Sequence, residues 1–302
     1  MIIKENDFML WEYLREEEFE DAIKRSKGLC VVPIGCLEKH GQHEPVGTDY
    51  YRARAFAVNA AKKEDVVIFP TSYWLGDVTG FHANKTPGLT RARGGVAIKT
   101  DTMLWIFEEL CDEIARNGFT KILLFHSHGG NIPIMTSFLR AQAKKKKPYA
   151  TYFAWANNNA MNQPEPWLKA VTERRDEFPM VTDEDIAVMR EWAKVGYQGG
   201  HANFIETAEV MGERPDLVEP ERYEQEEGLN NHCTDFMTEF GVHVSNDWGM
   251  RYPNSYSGAA PHGASVGIGQ AMLKIGEERA IRVFQKIKND DLGLEANKML
   301  MI

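Results

Sequence analysis

Short, almost uninterrupted apolar runs recur along the chain at "LCVVPI" (29–34), "DVVIFPTS" (65–72), "KILLFHS" (121–127) and "YATYFAW" (149–155). Between them lie stretches whose apolar residues return every three to four positions: "EYLREEEFEDAIKRS", "YYRARAFAVNAAKK", "TDTMLWIFEELCDEIARNG" ended by Gly118, and a segment from about Ile132. The first period predicts buried strands and the second amphipathic helices. Continuous apolar strands alternating with helices predict an α/β fold, a mostly parallel sheet sandwiched by helices. Further on, "DEDIAVMREWAKV" predicts a helix, and from His262 "GASVGIGQAMLKIGEERAIRVFQKIKND" predicts one long closing helix.

At 302 residues the chain is expected to form a single domain over 1–302, with the Asn-, Pro- and charge-rich stretch 156–200 as an insertion or lid. A hydrophobic fraction of 43% and a charged fraction of 26% place it among globular proteins. The formal charge of -9 argues against a nucleic-acid partner, since the one basic run is Lys144 to Lys147, expected to cap a helix C-terminus ahead of Pro148. No apolar stretch reaches the roughly 18 to 20 residues of a membrane span, and the acidic N-terminus does not resemble a targeting signal, so no membrane partner and a cytoplasmic location are expected. Cys30, Cys36, Cys111 and Cys233 lack CxxC spacing and are expected to be reduced packing residues, with Cys36 near enough to the acidic cluster to serve as a nucleophile.

Chemistry concentrates where strands end, the place at which parallel sheets bind ligands. After "CVVPI" comes "GCLEKHGQHEPVGTD", in which Glu38 and His40, two apart, share a side of an extended backbone and Asp49 can return to them through the turn-forming "EPVGT". After "KILLF" come His126 and His128, followed by two glycines. A third segment, "GGHANFIETAEVM", places His201 and Glu206 around a helix start. Together Glu38, His40, Asp49, His128 and Glu206 can bind two divalent ions, with Asp49 bridging; mixed oxygen and nitrogen donors suit Zn²⁺, Mn²⁺ or Fe²⁺ rather than Ca²⁺.

These segments carry a resemblance. "VPIGCLEKHGQHEPVGTD" resembles the creatininase (creatinine amidohydrolase) family signature E-x-H-G-x-H-x-P-x-x-T-D, "HSHGGN" is similar to its N-G-H-G-G-N segment, and "HANFIETAEVM" to its H-A-x-x-x-E-T-S-x-M segment. The resemblance implies a metal-dependent amidohydrolase on a creatininase-type fold, assembled as a homo-oligomer, a hexamer in the family. It places metal ligands at Glu38, His40, Asp49 and His128 and the catalytic histidine at His201. The creatinine-hydrolysing enzyme has a ligand Glu where this chain has Gly130, which makes Glu206 the candidate for the missing carboxylate, as ligand and catalytic group. That enzyme also has a tryptophan where this chain has Tyr197; with Trp155 and His82 of "GFHANKTPGLT", Tyr197 is a candidate substrate contact. The expected reaction is hydrolytic opening of a small cyclic substrate at a cyclic amide C–N bond. Ring-opening of an oxidised cyclic polyol such as 3-dehydro-scyllo-inosose is the alternative, suited by "WANNNAMNQ". A non-catalytic metal- or ligand-binding protein is the alternative of another class.

Overall fold

A computed structural model of the chain describes residues 9–78, 81–82, 90–156, 164–194 and 200–299. In chain order these contain β1 (Met9–Leu10), α1 (Phe19–Arg25), β2 (Leu29–Ile34), α2 (Thr48–Ala61), β3 (Val67–Ile68), β4 (Phe81–His82), β5 (Thr90–Arg91), α3 (Thr100–Arg116), β6 (Lys121–His126), α4 (Asn131–Gln142) and β7 (Ala150–Trp155). Then follow α5 (Pro164–Glu173), α6 (Asp183–Lys194), α7 (Phe204–Glu213), α8 (Asp235–Glu239), α9 (Asp247–Arg251), α10 (Val266–Lys288) and α11 (Leu292–Met299).

The main sheet runs β1-β3-β2-β6-β7 with every pairing parallel, while β4 and β5 form a separate antiparallel pair. Because β2, β6 and β7 are buried on both faces they read as unbroken apolar runs. Alternate residues divide between two cores. Cys30, Val32, Ile122 and Leu124 meet α3 and α4 through Phe107, Met135 and Phe138. Leu29, Val31, Leu123 and Phe125 meet α2 and α10 through Phe56, Leu273 and Phe284. This is the α/β sandwich read from the sequence. In-register pairing sets Ile34 beside His126 and His126 beside Trp155, so three strands end in one row.

A third core joins α5, α6, α7 and α10, built around Trp167, Met189, Phe204 and Met272. Within it α7 and α10 cross at backbone contact: a Cβ on Gly269 would lie 1.9 Å from the Ala208 carbonyl oxygen, and one on Gly212 would lie 2.4 Å from the Gly269 carbonyl carbon. Only glycine allows that approach.

Some elements depart from expectation. The first predicted helix is two 3₁₀ turns, Trp11–Tyr13 and Glu16–Glu18, before α1, because Leu14 and Arg15 are extended and Trp11 is drawn inward among Phe19, Phe69 and Phe119. The run 65–72 pairs as a strand only at Val67–Ile68 and rejoins β2 at Ser72 as an isolated bridge to Ile34, since Pro33 of β2 has no N–H to give Phe69 O. The closing helix stops at Lys288, and a separate α11 follows. The lysine run does not cap α4 with its side chains: Lys145 and Lys147 reach across to Glu108 and Asp112 of α3 at 2.6 and 2.7 Å. Cys30, Cys36 and Cys111 are buried and Cys233 exposed, all as free thiols. Among the described residues no helix is long and apolar enough to cross a membrane.

Candidate metal centre

The strand-end row leads directly into the site. Glu38 and His40 lie on the segment leaving β2, tied down where Glu38 N–H donates to Val46 O and Val96 N–H donates to Leu37 O. Asp49 sits in the first turn of α2. His128 follows β6, and Asn131 fixes that turn by accepting from Asp77 N–H and donating to Leu75 O.

His201 is clamped by a reciprocal pair of 2.9 Å hydrogen bonds with Ser257. Ala202 then takes φ 58°, a left-handed conformation unusual for a residue with a Cβ, and Asn203 caps α7. This sharp entry lets Glu206, in the first turn, reach back so that its Oε2 accepts from Ala202 N–H at 2.7 Å. A carboxylate is favoured there by the helix dipole.

Three donor sets result, each with ligand atoms within 4.8 Å of one another: Cys36, Glu38, Asp49 and His128; Glu38, His40 and His201; and His40, Asp49 and Glu206. Asp49 belongs to two of them. The histidines are oriented from behind. Nε2 of His128 donates to Asp77 O at 2.8 Å, turning Nδ1 toward Glu38 Oε2 at 3.1 Å and Asp49 Oδ2 at 3.2 Å. Nδ1 of His40 donates to Glu38 O at 3.1 Å, which leaves Nε2 between Asp49 Oδ2 and Glu206 Oε2 at 3.8 and 3.6 Å. Such backing hydrogen bonds are what metal-ligating imidazoles require.

Glu38 Oε2 and His40 Nε2 are buried with no hydrogen-bond partner. Unsatisfied buried polar atoms are costly, and a cation satisfies both. The donor set therefore fits divalent metal ions.

Charge compensation comes from Arg52, one turn after Asp49 on α2. Its guanidinium donates to Asp49 Oδ1 at 3.2 Å, Glu206 Oε1 at 2.6 Å and Glu209 Oε2 at 2.6 Å. Each of the first two carboxylates so keeps its other oxygen for the centre. Burial opposes charge throughout the site, but neighbours win. The imidazoles of His201, His128 and His40 hold Glu38 below the usual carboxylate range, and His128, His40 and Arg52 hold Asp49 far below it. Asp49, Glu206, Glu44 and Glu38 raise His40, while Cys36, Glu38 and Asp49 raise His128 well above its ordinary value. His126, one alternation away, sees little compensation, and burial pushes it down to about 4.

The centre floors a cavity of about 570 Å³ walled by Trp155, Trp248, Tyr252 and Arg251. His201 presents its ring 4.0 Å from that of His40 and 5.3 Å, edge to face, from Trp248.

Residues 12–284 match the family model of creatininase, described as creatinine amidohydrolase. The chain belongs to the creatininase family. Membership makes it an enzyme of the metal-dependent hydrolase class. Among solved structures it is similar to a creatininase variant complexed with creatine (16% identity, TM-score 0.66, covering 94% of this chain and 100% of that one). It is also similar to a manganese creatininase (17%, 0.66, 94% and 100%) and to a variant creatininase of the zinc–zinc type (17%, 0.67, 93% and 98%). At such identities the likeness speaks for the fold. Among curated proteins none matches the sequence.

Within this creatininase-family chain, the structure gathers Glu38, His40, Asp49, His128, His201 and Glu206 at one point and lines the adjoining cavity with Trp155. Tyr197 and the asparagine run 157–159 lie outside the described residues; His82 is placed only as a backbone position on β4, opposite Thr90. His43 and Glu44 face α7 instead: His43 Nε2 lies 3.1 Å from Ala202 O, and Glu44 accepts from Thr207 at 2.6 Å. At Gly130 a Cβ would fall 2.4 Å from Asp77 O and 2.5 Å from His128 Nε2, so no carboxylate fits there without rearrangement. Arg52 and the α9 residues Trp248 and Arg251 went unread in the sequence; the i, i+3 pair of Asp49 and Arg52 and the aromatic-basic "DWGMRY" were their signals.

Proposed function

We propose that the protein hydrolyses a cyclic amide C–N bond in a small planar ring, with Glu38, His40, Asp49, His128 and Glu206 holding two divalent ions and Asp49 shared between them. The observation that carries this reading is the overlap of donor sets at Asp49, with Glu38 Oε2 and His40 Nε2 buried and lacking partners, at the floor of a cavity with aromatic walls. Ions bound there would supply Lewis-acid polarisation of a carbonyl and acidify a water toward neutral pH.

The chain's own residues do the rest. Trp155 and Trp248 both line the cavity and offer aromatic surface against which a ring can be oriented and water excluded. His201 Nε2 lies 2.7 Å from Lys39 O, which assigns its hydrogen to Nε2 and leaves Nδ1 as the atom that takes a proton from the attacking water and returns it to the departing ring nitrogen. Glu206 Oε2, 3.7 Å from His201 Nδ1, favours the imidazolium formed in between.

The test is incubation of metal-replete protein with creatinine, other lactams, cyclic ureas and an oxidised cyclic polyol, following ring-opening by mass. Opening of an amide or urea ring supports the reading. Opening of the polyol alone would overturn the amide assignment, and a ligand retained unchanged after long incubation would overturn hydrolysis.

A further inference from the structure

Cys36 has no part in that mechanism, yet it lies inside the centre. It is fully buried, and its Sγ is 3.1 Å from Asp49 Oδ2. Sγ, a Glu38 oxygen, an Asp49 oxygen and a His128 ring nitrogen all lie within 4.8 Å of one another. Around a tetrahedral ion with bonds of about 2.0 to 2.3 Å, ligand atoms stand roughly 3.3 to 3.6 Å apart. The separations here are close to that: 3.1 Å from Cys36 Sγ to Asp49 Oδ2, 3.2 Å from His128 Nδ1 to the same oxygen, and 3.1 Å from His128 Nδ1 to Glu38 Oε2. An independent observation points to an occupant, since Glu38 Oε2, nine-tenths buried and more, has no hydrogen-bond partner.

We propose that Cys36 is a thiolate ligand to the ion held by Glu38, Asp49 and His128. The proposal rests on the metal-centre reading given above and deepens it. On binding, the S–H bond breaks heterolytically, the proton leaves to solvent, and the sulfur lone pair forms the bond to the ion; nothing is oxidised or reduced. Asp49 Oδ2, which accepts the S–H in the metal-free protein, is released for coordination.

The two ion positions are then chemically unequal. Sulfur, nitrogen and two carboxylates favour zinc or cobalt at one, whereas His40, Asp49 and Glu206 offer only nitrogen and oxygen at the other and accept manganese as readily. The expected resting state is a mixed centre in which zinc at the Cys36 position resists exchange for manganese.

Cobalt reports thiolate directly. Titrating Co²⁺ into the metal-stripped full-length protein should give visible d–d bands together with an intense near-ultraviolet sulfur-to-cobalt charge-transfer band. In Cys36→Ser the charge-transfer band should vanish while the d–d bands persist, and the preference for zinc over manganese should fall by at least the about 10 to 100-fold that loss of a mere supporting contact costs. Should Cys36→Ser fail to fold, zinc-edge X-ray absorption of the wild-type protein should show a sulfur scatterer at about 2.3 Å. Bound cobalt or zinc with no sulfur signature would overturn the Cys36 assignment and leave the metal centre standing, and so would a charge-transfer band that survives in Cys36→Ser. No cobalt or zinc bound at all would overturn both.

Discussion

Arg52 is the residue on which the electrostatics of the site turn. Its guanidinium is buried among Asp49, Glu206 and Glu209, and replacing it by alanine strands three carboxylates in a low-dielectric interior. Breaking a buried pair by removing one partner costs about 3 to 5 kcal/mol, so Arg52→Ala should lower the urea-unfolding free energy of the metal-free protein by that order, and an unchanged midpoint would refute the role. Glu206 gives a sharper test. In Glu206→Gln the one amide oxygen can still accept from Arg52, while an NH2 takes the place of Oε2, the oxygen that accepts from Ala202 N–H and lies next to His40, so bound metal should drop from two ions per chain toward one. If both sites still fill at high metal, Glu206 only supports its neighbours. The sequence made Glu38, His40, Asp49 and His128 legible because alternate spacing at a strand end is a local pattern. Arg52 was harder to see, because a single arginine on a helix becomes significant only when Glu206 and Glu209 arrive from more than 150 residues away.

Elements with strong periodicity were the legible ones. The cores on either side of the sheet match the runs in β2, β6 and β7 and the helical spacing of α2, α3 and α4. Where the pattern failed, the cause was tertiary in one place and local in the other: Trp11 is drawn into the core at the first predicted helix, and Pro33 of β2, with no N–H, interrupts the ladder with β3 until Ser72. The end of β6 also carries a pH dependence. His126 is buried, donates through Nδ1 to His128 O at 3.1 Å, stacks 4.6 Å from Trp155, and is depressed from 6.5 to about 4. The unfolded chain therefore binds the extra proton between those two values, so stability falls as pH drops through that window and levels off below it, by about 3 kcal/mol in all. Thermal midpoints of His126→Gln should lack this component; an identical slope in variant and wild type would exclude His126 as its source.

At the scale of the whole molecule, the proposed ligands come from the segments that follow β2 and β6 and from the first turns of α2 and α7, and converge only in the folded chain, so metal bound there stabilises the native state by linkage. Chelation should lower the thermal midpoint, and readdition should restore it. Surrounding acidic groups raise His40 and His128 above their ordinary values in the metal-free protein, so an ion competes with protons for these imidazoles. Affinity should therefore rise with pH, and calorimetry in buffers of differing ionisation enthalpy should register proton release; a buffer-independent heat would contradict it. The crossing of α7 and α10 has a consequence at a distance. Gly269 touches neither the cavity nor any proposed ligand, yet the smallest side chain placed there meets the Ala208 carbonyl and must push α7 aside. Glu206 rides on that helix, so Gly269→Ala should loosen metal retention while leaving every coordinating group chemically intact. The centre's tolerance to change is thus governed partly from a helix of the C-terminal region, and a map of positions that weaken metal binding should extend well beyond the three motifs that first drew attention.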